Sequence, residues 1–130
     1  MKTDHLIATP RKAEQLPFHS AKAEQMKATD WVYMDSSLVP ESDLLINIRK
    51  VDFVPPGLPP ETEPHSHEAS SSYCVIGDVT LEVIIEGNTH RISGPGSVFI
   101  PAGARHQARV IAGSGYIMMV LRNGEYQASM

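Results

Sequence analysis

His65-Ser66-His67 is the feature of this sequence with the clearest chemistry. Residues i and i+2 of an extended chain project to the same face, so two imidazoles at this spacing can hold one metal ion together. They make half a site, and a third ligand has to come from elsewhere in the fold. The one cysteine, Cys74, permits neither an internal disulfide nor a thiolate zinc cluster. Any metal here therefore needs nitrogen and oxygen ligands. His5, His19 and His90 have no partner at ligand spacing and read as surface residues.

The elements that must position the pair are strands. Pro55 to Pro64 (PPGLPPETEP) holds five of the ten prolines and predicts an extended connection that delivers the chain into His65. Downstream, strand signals follow in close succession: Ser72 to Ile76, Val79 to Glu86, Thr89 to Ile92, Ser97 to Ile100, His106 to Ile111 and Tyr116 to Leu121. Turn chemistry separates them at Gly77-Asp78, Gly87-Asn88, Gly94-Pro95-Gly96, Pro101-Ala102-Gly103 and Gly113-Ser114-Gly115. Val79, Leu81, Val83 and Ile85 alternate with Thr80, Glu82, Ile84 and Glu86, which reads as a half-buried strand. Upstream, Leu44 to Val54 has a split phase: Leu44, Ile46 and Ile48 share one face, whereas Val51 and Phe53 lie on the other. A bulge near Arg49 and Lys50, or an edge strand, is the favoured explanation. The alternative turns Asn47 and Arg49 into a pocket, where they would bind a substrate carboxylate.

Bulk properties bound the function. A chain of 130 residues with 42% hydrophobic and 20% charged residues fits one domain with a sizeable core and excludes disorder as the whole description. The net charge is -4 and the eleven Lys and Arg residues are scattered, so nucleic acid and anionic membrane are not expected partners. The longest apolar run, Tyr116 to Leu121, is far short of the roughly 20 residues of a spanning helix. Met1 to Pro10 lacks the pattern of a secretory signal, so a cytoplasmic location is expected. Residues 1–43 read as an N-terminal arm and 44–130 as the main domain. The arm carries helix formers over Ser20 to Thr29 and a short strand over Trp31 to Met34, whose rings would pack on the core or on a second subunit. A homodimer is expected.

With these elements in place, the sequence resembles the cupin superfamily over roughly residues 47–121. Pro64-His65-Ser66-His67 followed by Tyr73-Cys74-Val75-Ile76-Gly77 fits the first cupin motif. Gly96-Ser97-Val98-Phe99-Ile100-Pro101-Ala102-Gly103-Ala104-Arg105-His106 fits the second. The resemblance implies an all-β fold, a double-stranded β-helix or jelly-roll barrel with an N-terminal arm. It also implies His65, His67 and His106 as ligands of one divalent transition metal per chain: Fe(II) first, then Mn, Zn, Ni or Cu. The tight Pro-Ala-Gly turn suits this, because it would aim His106.

One departure from the cupin pattern bears on the chemistry. Where it has glutamate shortly after the HxH pair, this chain has Ser70-Ser71-Ser72. Glu68 follows His67 directly and should point away. A site of three histidines without a carboxylate would leave a divalent ion more electrophilic and suited to an anionic, chelating small molecule. Such a ligand set resembles that of cupin dioxygenases, so an oxygenase acting on a carbonyl, enol or carboxylate substrate is expected first. Metal-assisted lyases, cyclases and isomerases share the ligand set, and a non-catalytic ligand-binding module is the third reading. Tyr73 is the candidate acid or base, against a plainer role as a wall aromatic. Cys74, next to it, should face the opposite way as a small buried apolar residue rather than a nucleophile. Arg105 and Gln107 flank His106 toward solvent or the mouth of the barrel, and Met118 and Met119 read as packing residues.

Overall fold

The computed structural model describes residues 1–13, 27–57 and 64–122. Among these, nine strands occur in chain order: β1 Arg11–Lys12, β2 Lys27–Met34, β3 Leu44–Phe53, β4 Ser71–Gly77, β5 Thr80–Ile85, β6 Asn88–Ser93, β7 Gly96–Ile100, β8 His106–Ala112 and β9 Gly115–Arg122. They form a six-stranded sheet of order β1-β2-β3-β9-β4-β7 and a three-stranded sheet of order β6-β5-β8. Every pairing is antiparallel. No described helix is long and apolar enough to cross a membrane.

Register explains what fills the space between the sheets. Directly opposed residues of an antiparallel pair share a face, so Val32, Asn47, Met119, Tyr73 and Val98 form one inward row across five strands. A second row runs through Leu45, Leu121, Ser71 and Ile100, and a third through Asp30, Arg49, Ile117, Val75 and Gly96. From the small sheet, Leu81, Val83, Ala108 and Val110 join the same buried cluster. The alternation expected from Val79 to Ile85 holds, with Val79 and Val83 wholly buried. The opposite side of β5 is not simply solvated. Glu82 is 7% exposed, because Arg91 and Arg109, its direct neighbours on β6 and β8, close over it at 3.3 and 2.8 Å.

Three expectations need correction. The bulge near Arg49 and Lys50 is absent: β3 pairs with β9 from Leu44 to Val51 without a break. The apparent phase slip arises because Asn47 and Arg49 lie on the inner side with Leu45 and Val51, while Leu44, Ile46 and Ile48 face outward. The register shifts lie instead in the β2–β3 ladder, at Lys27/Ala28 and Val32/Met34. The helix expected over Ser20 to Thr29 gives way at Lys27 to Thr29, which belong to β2; residues 20–26 lie outside the described residues. The strand expected over Trp31 to Met34 is therefore longer, and it extends the large sheet by pairing with β3. Finally, the β5–β6 hairpin turns at Glu86-Gly87 rather than Gly87-Asn88, with φ of 48° and 80°, the positive pair that a two-residue hairpin loop demands.

The N-terminal segment is tied down by polar contacts. Arg11 donates to Asp35 Oδ2 at 2.6 Å and to Ser37 Oγ at 3.2 Å, and His5 meets Glu41 at 2.6 Å. Burial alone would raise the Asp35 carboxyl, but hydrogen bonds from Ser37, Arg11 and Leu38 hold it below its ordinary value. At the far end of the interior, Gly113 has φ of 87° and a Cβ there would stand 2.0 Å from the Asp78 carbonyl oxygen.

Two substitutions test this packing. Leu81→Ala should lower unfolding free energy by about 2–5 kcal/mol in guanidinium titrations, through lost transfer energy and a residual cavity. Gly113→Ala should cost more than Gly103→Ala, because both glycines have positive φ but only Gly113 has no room for a methyl group.

Candidate metal centre

The two motifs meet through their backbones. His65 N–H donates to His106 C=O at 2.9 Å, and His106 N–H returns a bond to His65 C=O at 2.8 Å. This antiparallel bridge lays His65 alongside β8 as a continuation of the small sheet. Gly103 N–H donates to His67 C=O at 2.7 Å, so the second motif grips both ends of the HxH segment. The turn that does so is closed by Ala104 N–H to Pro101 C=O at 3.1 Å, with Gly103 at φ of 81° in the position that favours glycine. On the other side of His106, Glu86 of the β5–β6 turn receives Arg105 N–H on its carboxylate at 2.8 Å. Its own N–H donates to Arg105 C=O at 2.8 Å, so the left-handed Glu86 is held from both sides.

The side chains converge. Ring centroids are 4.9 Å apart for His65 and His67, 4.6 Å for His65 and His106, and 5.1 Å for His67 and His106. Their candidate ligand atoms all lie within 4.8 Å of one another, and all three residues are buried. His106 Nδ1 lies 2.9 Å from the Ala104 carbonyl oxygen. A carbonyl only accepts, so Nδ1 carries the proton and Nε2 keeps its lone pair for a ligand. Burial pushes the His106 pKa down to about 4, against the opposing pull of the Ala104 bond and with help from His65 and His67. At neutral pH this imidazole is uncharged, as a metal ligand must be. Three buried nitrogen donors suit a divalent transition ion. No carboxylate joins them among the described residues, and Glu68 is exposed, as expected from its place after His67.

The other candidates fall on the large sheet. Tyr73 is 8% exposed in the middle of the inward row, and Ser71, where the cupin glutamate was missed, is buried in the next. Both strands that carry the motifs open here, since β4 begins a few residues after His67 and β7 ends a few before His106. Cys74 faces outward as expected, half-buried rather than buried, with its thiol 4.0 Å from Ser72 Oγ. Asn47 and Arg49 face inward, as the pocket alternative had it. Arg49 is committed to Asp30 by a two-pronged ion pair at 2.9 and 2.8 Å, and Asn47 Nδ2 donates to the same carboxylate at 3.3 Å. That pairing orients the amide and leaves Asn47 Oδ1 buried with no hydrogen-bond partner among the described residues. Sequence reasoning missed Asp30, because it began this strand at Trp31, four residues late. A carboxylate one register step from an inward arginine was the available signal.

No protein-family model matches the sequence, and no curated protein sequence matches it. Solved structures do match in three dimensions. KdgF from Halomonas sp. is 17% identical with a TM-score of 0.60, covering 88% of this chain and 89% of that one. The polyketide cyclase RemF from Streptomyces resistomycificus is 18% identical at a TM-score of 0.57, covering 90% and 84%. An RmlC-like cupin from Shewanella frigidimarina is 17% identical at 0.55, covering 86% and 93%. The chain therefore has the cupin fold, two antiparallel sheets enclosing the interior, with a three-histidine group inside it.

Acidification should expose the cost of keeping His106 neutral. An unfolded histidine takes up a proton near pH 6.5, whereas His106 in the fold does so only near 4. The unfolded state thus binds more protons in this window, and stability of metal-free protein falls as pH drops from about 6.5 to about 4. Glu82, held below its ordinary value of 4.5 chiefly by the Arg109 hydrogen bond, against burial and with Arg91 assisting, adds its loss only below that value. Calorimetric melting temperatures of metal-free protein between pH 7 and 4.5 check the histidine contribution; a flat profile there would contradict it.

Proposed function

We propose that the protein is a metal-dependent enzyme acting on a small chelating carbonyl, enol or carboxylate compound, in the interior between the sheets. The observation that carries this is the convergence of three buried imidazoles, His65, His67 and His106, without a carboxylate. A divalent ion bound there would supply Lewis acidity undiminished by an anionic ligand, and Fe(II) would add reaction with dioxygen. His65, His67 and His106 would hold such an ion, and all three are buried. Tyr73 is assigned proton transfer to or from the substrate, from the middle of the inward row. Asn47 Oδ1 offers an acceptor to a hydroxyl or N–H group of the bound molecule, and Asp30 with Arg49 keeps that amide oriented. Arg49, engaged by Asp30, acts as a positioning residue here rather than as the free carboxylate anchor expected from the sequence.

Non-redox chemistry, by a lyase, cyclase or isomerase, is placed ahead of oxygenation. The similarity to RemF, a polyketide cyclase, favours it; the three-histidine ligand set is what keeps an oxygenase as the second reading.

Elemental analysis of protein purified without added metal should give one transition metal per chain in the natural sequence and none in a His65→Ala/His106→Ala variant. Equal metal in both would sink the site. Turnover of a panel of enolisable keto acids and diketones should persist without oxygen in the zinc- or manganese-loaded protein. Iron-dependent oxygen uptake would select the oxygenase instead. Tyr73→Phe should lower kcat by about 100-fold or more at unchanged metal content.

A further inference from the structure

We infer that Glu86 is a positioning residue for the three-histidine site: its carboxylate sets the His106 ring through the one peptide group that joins Ala104 to Arg105. This rests on the reading of that site as a metal centre. Both ends of the peptide are engaged. Its N–H, on Arg105, donates to Glu86 Oε1 at 2.8 Å. Its C=O, on Ala104, accepts the Nδ1 proton of His106 at 2.9 Å. Carboxylate, amide and imidazole therefore form one chain, which ends on the ring whose Nε2 lone pair is left for a ligand. Glu86 also grips the next peptide. Its own N–H donates to Arg105 C=O at 2.8 Å, and the N–H of that same peptide, on His106, donates to His65 C=O at 2.8 Å. One residue of the β5–β6 turn thus holds both peptides flanking Arg105, the first leading to the ring of His106 and the second to the backbone of His65.

The turn by itself would favour a different residue. Glu86 adopts φ of 48° and is the one non-glycine residue with positive φ among the described residues. A two-residue hairpin loop is best served at that position by asparagine, aspartate or glycine, and a longer side chain is disfavoured in the left-handed region. The extra carbon of glutamate is what carries a carboxylate onto Arg105 N–H. Glu86 is exposed, so water offers its carboxylate a ready partner, yet the side chain is turned back onto the backbone. For His106 the effect is both geometric and electronic. A peptide bonded at both ends cannot rotate without losing a bond, so the Ala104 carbonyl, and with it the direction of the ring, is fixed. A negative charge at the N–H end also polarises the amide, which makes its carbonyl oxygen a stronger acceptor and the imidazole a more basic ligand. Metal-binding histidines commonly receive this influence from a carboxylate in direct contact. No carboxylate lies among the three rings in the described residues, and Glu86 supplies the same influence one peptide removed.

Zinc affinity, measured by competition with a chromophoric chelator, separates this role from that of a plain turn former. Glu86→Gly and Glu86→Asn both suit the left-handed turn, and neither carries a carboxylate to Arg105 N–H. Relief of the turn offsets the lost bond, so the metal-free variants should keep the melting temperature of the natural protein. They should nonetheless bind zinc about 10-fold or more less tightly. Glu86→Gln keeps an acceptor oxygen at the same reach without the charge, and its affinity should lie between theirs and that of the natural protein. Nuclear magnetic resonance of zinc-loaded protein with isotope-labelled histidine gives a second readout. The His106 Nδ1 proton should move upfield and exchange faster with water in the Gly and Asn variants, as its hydrogen bond to Ala104 weakens. Natural zinc affinity in the Gly and Asn variants would overturn the inference, as would a Gln variant as weak as the Gly variant or an Nδ1 proton that does not move. A natural protein that binds no zinc would instead remove the metal reading itself, and this inference with it.

Discussion

The structure turns on a reciprocal pair of backbone hydrogen bonds, His65 N–H to His106 C=O and His106 N–H to His65 C=O. They join two segments about forty positions apart, and they do so with main-chain groups that must be satisfied once buried. Side chains that touch through such a bridge inherit its precision. The bond from Gly103 N–H to His67 C=O adds a third anchor, so three imidazoles are set by backbone rather than by long flexible side chains. Burial desolvates His106, which keeps that ring neutral and its lone pair available.

Asp30, Arg49 and Asn47 form a polar group on the inner side of the large sheet, held together across two neighbouring strands. Arg49 is tolerable because Asp30 lies opposite on β2, and Asn47 shares that carboxylate. The small sheet contributes mostly aliphatic side chains to the interior, Leu81, Val83 and Val110 among them. Its own buried carboxylate, Glu82, is turned outward and enclosed by two arginines. The small sheet also carries His106 at the start of β8, with His65 bridged to it, so both sheets contribute to the candidate site. The unpaired Asn47 Oδ1 is the point where that compensation stops short, as interiors that receive ligands do.

Much of the fold was legible because strands with one buried face announce their period. Val79 to Ile85 alternates cleanly, and the glycine and proline turns that follow it fall within a residue or two of the expected places. β3 was misread for a specific reason. Its inward row contains Asn47 and Arg49, so hydrophobicity alone assigns the core to the wrong face, and a bulge looks necessary. Only the partner strand explains the polarity, and β2 was read as starting too late for Asp30 to be weighed. The hairpin turn at Glu86 was displaced by one position because a non-glycine residue accepts positive φ there, supported by Arg105.

The sequence by itself determined the strand succession, the histidine spacing and the absence of a thiolate alternative, since all three are local properties: alternation, the geometry of i and i+2, and a count of one cysteine. It also carried the two ordered motifs. What only the tertiary structure decided is which residues meet. That His106 closes on the HxH pair and that Asp30 neutralises Arg49 are consequences of register between distant strands. Register is set by the summed burial of whole faces, and no short stretch of sequence contains that sum.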